Sequence, residues 1–180
     1  VGKWDKTAPL LILLQEARDQ LDAERREEFI YLSGVTYEAL LERTKAINAF
    51  RELLVKGYKA TEVKRRLASL LYLDEQHEEA QELIAGLLDE GSLDLEATRE
   101  LRSILADIHR RMGRLEKSED YLLKQLAERP SDKEVLGRLV TLKRDDGDDA
   151  GEAEFLSQLL NVETDPERRF TLLVRLGDVS

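Results

Sequence analysis

"YLSGVTYEALLERTKAINAFRELL" (Tyr31–Leu54) and "RLASLLYLDEQHEEAQELIAGLL" (Arg66–Leu88) are the two stretches whose comparison decides the fold. Gly34 and Ala68 stand 34 residues apart, as do Ala46 and Ala80, and Phe50 and Ile84. In "ILADIHRRMGRLEKSEDYLLKQLAERP" (Ile104–Pro130), Ala106, Ser118 and Leu122 take the same places, each 38 residues further on. The four extra residues fall near "EGSLDLEAT", a turn between copies that can absorb them. A fourth copy places Val140, Glu152 and Leu156 another 34 residues along. A period of this length marks an array of supersecondary units. Each copy reads as two amphipathic helices joined by a short polar break.

The spacing and residue pattern resembles the tetratricopeptide repeat (TPR), a helix–turn–helix with W-x2-L-G-x2-Y, then A-x3-F, then P. "LSG" with Tyr37, Ala46 and Phe50 matches this signature; Ile30 stands for the early Trp and Tyr58 for the final Pro. "LAS" with Leu71, Ala80 and Ile84 matches in character, and "LAD" with His109, Ser118, Leu122 and Pro130 matches again. "LVT" with Lys143, Glu152 and Leu156 departs most, which predicts a fourth repeat distorted or shifted by one residue around "DDGDDAGEAE". The resemblance implies an all-α fold, a right-handed superhelical solenoid of helix–turn–helix repeats. A single domain over 1–180 is expected: a half repeat at 1–26, repeats at about 27–60, 61–98, 99–132 and 133–169, and a half repeat at 170–180.

Close packing explains the pattern. A small residue (Gly34, Ala68, Ala106) lets the two helices of a repeat approach, and bulky apolar groups fill the space between. A small residue in the second helix (Ala46, Ala80) is expected to seat the next repeat's first helix, so each repeat leaves an apolar edge for its neighbour.

The punctuation agrees. Thr44, Asp74 and Asp148 or Asp149 are expected N-caps of second helices. Ser131 with Glu134 reads as a capping box, Asp165–Pro166 as a cap followed by proline at the first helical position, and Pro9 as a first-turn residue. "GKWDKTAPLLILL" has the look of a second helix without its first. "LLVRLGD" carries the Leu-Gly of another first helix at Leu176–Gly177, 37 residues after Leu139–Val140. The chain is therefore expected to be a segment of a longer array. The style of "RRFTLLVRLGD" and "GRLEKSEDYLLKQLAERP" resembles bacterial members of the family.

Composition excludes several functions. Apolar residues make up 42% and charged residues 37%, enough of the former to build a core. The net charge of −10 gives no cationic footprint for nucleic acid or anionic lipid, although Lys64–Arg66 and Arg110–Arg111 are local basic clusters. Without cysteine there is no disulfide, thiol nucleophile or thiolate-bound zinc. The longest apolar run, "PLLILL" (Pro9–Leu14), falls well short of the roughly 18 residues of a membrane span. The sequence names no compartment; a soluble cytoplasmic setting is favoured over a periplasmic one.

No catalytic constellation stands out, so no enzyme, cofactor or metal is expected. His77, at the start of a second helix, reads as solvated. His109, at the family's Tyr place, reads as packing between helices. "DDGDDAGEAE" (Asp145–Glu154) fails the calcium-loop spacing because its glycine comes third in the acidic run, and it reads as a solvated turn. Glu28, Glu62, Glu100 and Glu134 recur in one phase, expected in the first turns of first helices, where carboxylates favour the dipole.

The remaining candidate is the concave face, which first helices line in this family and where peptides lie. Helical spacing turns Tyr31, Val35, Arg65, Ser69, Tyr72, Asp107, Arg110, Thr141 and Arg144 inward. Aromatic and arginine side chains make good interface anchors. Tyr72 between Arg65 and Arg110 suits an acidic-aromatic or carboxylate-bearing peptide. The Lys and Asn clamp of chaperone-binding members is absent: its places hold Tyr31, Val35 and Arg66. The expected function is a protein-interaction scaffold. The alternatives are a regulatory or structural arm of a larger protein, self-association through the solenoid ends, and an RNA-binding helical repeat, the last opposed by the negative charge and Asp107.

Overall fold

The computed structural model describes residues 21–179. Among them are nine α-helices and no strand. They are α1 (Ala23–Ala39), α2 (Arg43–Lys56), α3 (Ala60–Leu73), α4 (His77–Glu90), α5 (Leu95–Arg111), α6 (Leu115–Glu128), α7 (Lys133–Asp146), α8 (Asp149–Val162) and α9 (Pro166–Val179). Two compact units divide the chain, residues 1–94 and 95–180. Pro9 and most of the half repeat expected at 1–26 lie outside the described residues.

In the first unit α1 pairs with α2, α2 packs on α3, and α3 pairs with α4. The buried positions on α3 are Val63, Leu67, Leu70 and Leu71, an i, i+4, i+7, i+8 stripe, together with the small Ala68. On α4, which pairs with α3, Ala80, Ile84 and Leu87 are fully buried. Gly34 shows why a small residue is needed. A Cβ there would lie 2.9 Å from Cε1 of Phe50, so the ring of the second helix fills the space that a side chain at 34 would need.

The second unit repeats the scheme with α5–α6 and α7–α8 and adds α9 against α8. Leu136, Leu139, Leu142, Phe155 and Leu156 form its core with Ala106 and Leu122, and Leu172, Leu176 and Val179 of α9 pack onto them. Each fully buried Leu contributes roughly 1.5–3 kcal/mol. Ser118, at the small-residue place of α6, donates its hydroxyl to the Ala106 carbonyl at 2.7 Å. That contact faces its own first helix, whereas the sequence pattern put the next one there.

The turn inside each hairpin is one motif repeated four times. Leu41, Glu75, Gly113 and Gly147 occupy equivalent places with φ of 61°, 61°, 71° and 72°. Each is followed by an N–H that reaches five residues back: Glu42 to Tyr37, Gln76 to Leu71, Arg114 to His109 and Asp148 to Lys143, at 2.8–2.9 Å. This double closure is the Schellman ending, which needs a left-handed residue at its corner. Two copies use glycine there and two force a side chain into it.

The caps correct several expectations. α2 starts at Arg43 after Glu42, and α4 at His77 after Gln76, and neither preceding residue caps with its side chain. Thr44 therefore lies inside α2, and Asp74 is the C-cap of α3. Asp148, one of the two expected caps of α8, accepts the Gly151 N–H at 2.9 Å. At α7 the cap is Asp132, which accepts from Glu134 and Val135, in place of Ser131. Asp165 accepts the Arg168 N–H at 2.8 Å, with Pro166 opening α9. Glu62 and Glu134 sit in first turns as expected. Glu28 and Glu100 do not, because α1 and α5 begin about a turn earlier, at Ala23 and Leu95.

Candidate functional site

In the first unit α1 carries Tyr31 and Val35, and α3 carries Arg65, Ser69 and Tyr72; all five are half-buried. The Tyr31 ring meets Phe50 edge-on at 6.2 Å between centroids, and the Lys59 ammonium sits 4.2 Å from its centre. That position satisfies a cation–π contact. Arg65 pairs with Glu62 at 3.4 Å, and Ser69 donates to the Arg65 carbonyl. Tyr72 lies 6.0 Å from the ring of His77, which opens α4 and is half-buried, not solvated. Arg66 bridges α3 to α1, bonding Glu38 at 2.8 Å and its own Glu62 at 2.7 Å. Burial opposes ionisation of Glu62, but the hydrogen bonds and charges of Arg66 and Arg65 win and hold its carboxyl below the usual range.

In the second unit α5 carries Asp107 and Arg110, and α7 carries Thr141 and Arg144. Arg110 reaches across to Asp145 at 2.9 Å and back to Asp107 at 3.4 Å. Asp107 also receives Arg111 at 2.7 Å. Thr141 is exposed and donates to the Gly137 carbonyl. Arg138, absent from the sequence-based set, donates to the Ser103 carbonyl at 2.8 Å and so laces α7 to α5. Arg66 and Arg138 fall in one register, and each reaches from its own first helix to the preceding one. That recurrence was the available signal.

Arg144 has a different task. Its guanidinium bonds the Glu152 carboxylate at 2.8 Å, and Arg175 of α9 bonds the same carboxylate at 2.7 Å. Glu152 is 0% exposed. The acidic stretch around it is thus only partly a solvated turn, because α8 begins at Asp149 and carries Glu152 inward. The fourth hairpin keeps its register: a buried, doubly paired glutamate takes the place of a small residue. The hydrogen bond from Arg175, then that from Arg144, holds the Glu152 carboxyl down at about 2 against the cost of burial. No simple residue-by-residue pattern links Glu152 to Arg175, 23 positions later, so the sequence alone did not reveal the pair.

His109 is buried and stacked on Tyr121 at 5.7 Å, in keeping with packing between helices. Desolvation, with Lys117 and Arg114 nearby, keeps its pKa below the ordinary histidine value. Among the described residues no group of three or more His, Asp or Glu is placed to hold a metal ion, and no helix is long and apolar enough to cross a membrane.

No protein-family profile and no curated protein sequence matches the chain. Solved structures do. A MamA RS-1 double mutant superposes with a TM-score of 0.72 at 17% identity, over 89% of this chain and 85% of that one. BtubC from P. vanneervenii gives 0.66 at 16% identity, over 99% and 84%. The pilF protein of Pseudomonas aeruginosa gives 0.65 at 15% identity, over 98% and 83%. MamA and pilF are TPR proteins. With identities this low the likeness speaks for architecture alone, and it shows that the chain has an all-α, TPR-like solenoid fold.

Proposed function

We propose that the chain is a non-enzymatic interaction scaffold that takes a peptide or protein segment along the first helices of its hairpins. The observation that carries this reading is the division of labour on those helices. One face of each is committed to the core, while Tyr31, Arg65 and Tyr72 in the first unit and Asp107, Arg110 and Thr141 in the second keep part of their surface in water. Half-exposed aromatic and arginine groups on the first helices within each unit are the side chains that dominate interfaces. The TPR-like fold supports the same reading, since repeats of this kind offer extended surfaces for binding.

Arg110 already holds two aspartates, so a ligand carboxylate must compete with Asp145. Tyr72 and Arg65, the latter paired with Glu62, are the anchors proposed in the first unit, which favours an aromatic-acidic segment. Arg144 belongs to the Glu152 ion cluster and takes a supporting role in this scheme. The net charge of −10 argues against nucleic acid as the ligand. The test is to isolate a partner by crosslinking and measure its affinity for the chain and for the Tyr72→Ala/Arg110→Ala variant. Loss of about 2 kcal/mol or more is expected of anchor residues. An unchanged affinity in a variant of native helicity refutes the assignment.

A further inference from the structure

In the second unit the start of α7, the end of α8 and the first two turns of α9 border a cleft of about 530 Å3. Small-molecule sites commonly measure roughly 300–1,000 Å3. Leu159 and Leu172 give the cleft an apolar floor, and Lys133, Glu134, Glu163 and Arg168 bring charges to it. Glu163 is 7% exposed and fully engaged. It accepts the Lys133 ammonium at 2.9 Å and the N–H groups of Thr164 and Asp165 at 2.7 and 3.0 Å. Arg169 donates to the carbonyls of Leu160 and Glu163, which fixes the start of α9 against the end of α8. Arg168 and Glu134 differ. Their backbone N–H groups go to the cap aspartates Asp165 and Asp132, but among the described residues neither side-chain charge has a partner, and they do not pair with each other. Thr171, one turn after Arg168, donates its hydroxyl to the Glu167 carbonyl at 3.0 Å and keeps its oxygen free to accept.

The preceding hairpin of the same unit handles this place differently. Arg99 and Gln125 stand 34 residues before Lys133 and Leu159. The Arg99 side chain is only 12% exposed and bonds Glu128 of α6 at 3.2 Å, and Gln125 is buried. Lys133 is 42% exposed and is drawn aside to Glu163, so it does not cover Leu159 in the same way.

We infer that this cleft binds a small apolar zwitterion, an aliphatic dipeptide with free ends. Its carboxylate meets Arg168, its ammonium meets Glu134 and the Thr171 oxygen, and its side chains lie on Leu159 and Leu172. Charge selects this class. Two cations and two carboxylates line the cleft, so a simple carboxylate would face Glu134 and a simple amine would face Arg168, whereas a zwitterion answers both. Size selects within it. At about 30 Å3 for each water-sized group, the cleft holds on the order of fifteen to twenty non-hydrogen atoms, which suits a dipeptide better than one amino acid. The site uses none of the wall residues of the proposed function and stands without it.

The test uses the isotopically labelled chain titrated with leucyl-leucine and followed by amide NMR. Saturable shifts at Leu159, Thr171 and Leu172 are expected below about 10 mM. N-acetyl-leucyl-leucine and leucyl-leucinamide, each lacking one charge, should bind about tenfold more weakly, and glycyl-glycine should not bind. Arg168→Gln should remove the preference for leucyl-leucine over the amide, and Glu134→Gln the preference over the acetylated form. Both side chains are exposed, so either variant should keep the parent's helicity. Absence of saturable shifts, equal affinity for free and blocked dipeptides, preferences unchanged in both variants, or shifts confined to Asp107 and Arg110 would overturn the inference. So would tighter binding of the acetylated form, which would make this a site for simple carboxylates.

Discussion

Replacing Leu41 or Glu75 by glycine should stabilise the protein, although each substitution deletes a side chain. Both residues sit at the corner of a Schellman turn with φ of 61°, where Gly113 and Gly147 sit in the other two hairpins. The left-handed conformation costs an ordinary L-residue roughly 1–2 kcal/mol. Glycine avoids that cost but gives up about 0.5–1 kcal/mol through the freedom it gains when unfolded. Leu41 is 80% exposed, so its removal sacrifices little burial. The balance favours glycine by up to about 1.5 kcal/mol at each site, a rise of up to about 3–6 °C in Tm for a chain of this size. Gly113→Ala and Gly147→Ala should shift the midpoint by a similar amount in the opposite direction, since alanine enters the forbidden region. Urea unfolding followed by circular dichroism measures all four, with the m-value checking that the unfolded states stay comparable. A lower midpoint for Leu41→Gly, or a higher one for Gly147→Ala, would show that the repeated turn does not impose this conformation in solution.

Three further outcomes follow from the packing and the charges. Gly34→Ala should lose stability, because overpacking against Phe50 costs about 1–3 kcal/mol and exceeds the roughly 0.5–1 kcal/mol that alanine brings to a helix; in a Phe50→Leu background the same change should be neutral or favourable, as a double-mutant cycle in urea would read. Glu152 titrates in the folded state at about 2, below its ordinary 4.5, so its stabilising contribution is complete above about 4.5 and is lost as the pH falls toward 2. Acid unfolding of Glu152→Gln should therefore show a shallower pH dependence in that window than the parent. His109 has a lowered pKa when folded, so the unfolded chain binds more protons there and stability falls as the pH drops through the ordinary histidine range. His109→Phe should flatten the stability profile between about pH 7 and about pH 5 in thermal melts.

The repeat register was legible in the sequence because it depends on local matching of size. Gly34 against Phe50, Ala46 and Ala80 at full burial, and the spacing of Val63, Leu67 and Leu71 are all imposed by helix geometry within one hairpin, and such constraints recur at a fixed interval. Helix starts were less legible. Asp and Thr are common next to every turn here, so composition did not distinguish Asp132 and Asp148, which cap helix starts, from Thr44, Asp74 and Ser131, which are not N-caps. The shared left-handed corner was hidden for a related reason: Leu41 and Glu75 occupy a glycine's place, and nothing in their identity announces the conformation that the two flanking helices impose.

The wall residues illustrate the division most clearly. Helical phase alone put Tyr31, Arg65, Tyr72, Arg110 and Arg144 on first helices, because phase is a property of the backbone repeat. Which charges they meet was decided by the tertiary structure. Arg110 finds Asp145 on the next first helix, while Arg144, in the same phase, turns to Glu152 and shares it with Arg175. Periodicity fixes which face of a helix a residue occupies; the partner it meets there depends on how neighbouring helices are brought alongside, and a buried carboxylate such as Glu152 is tolerated only when that assembly delivers two cations to it.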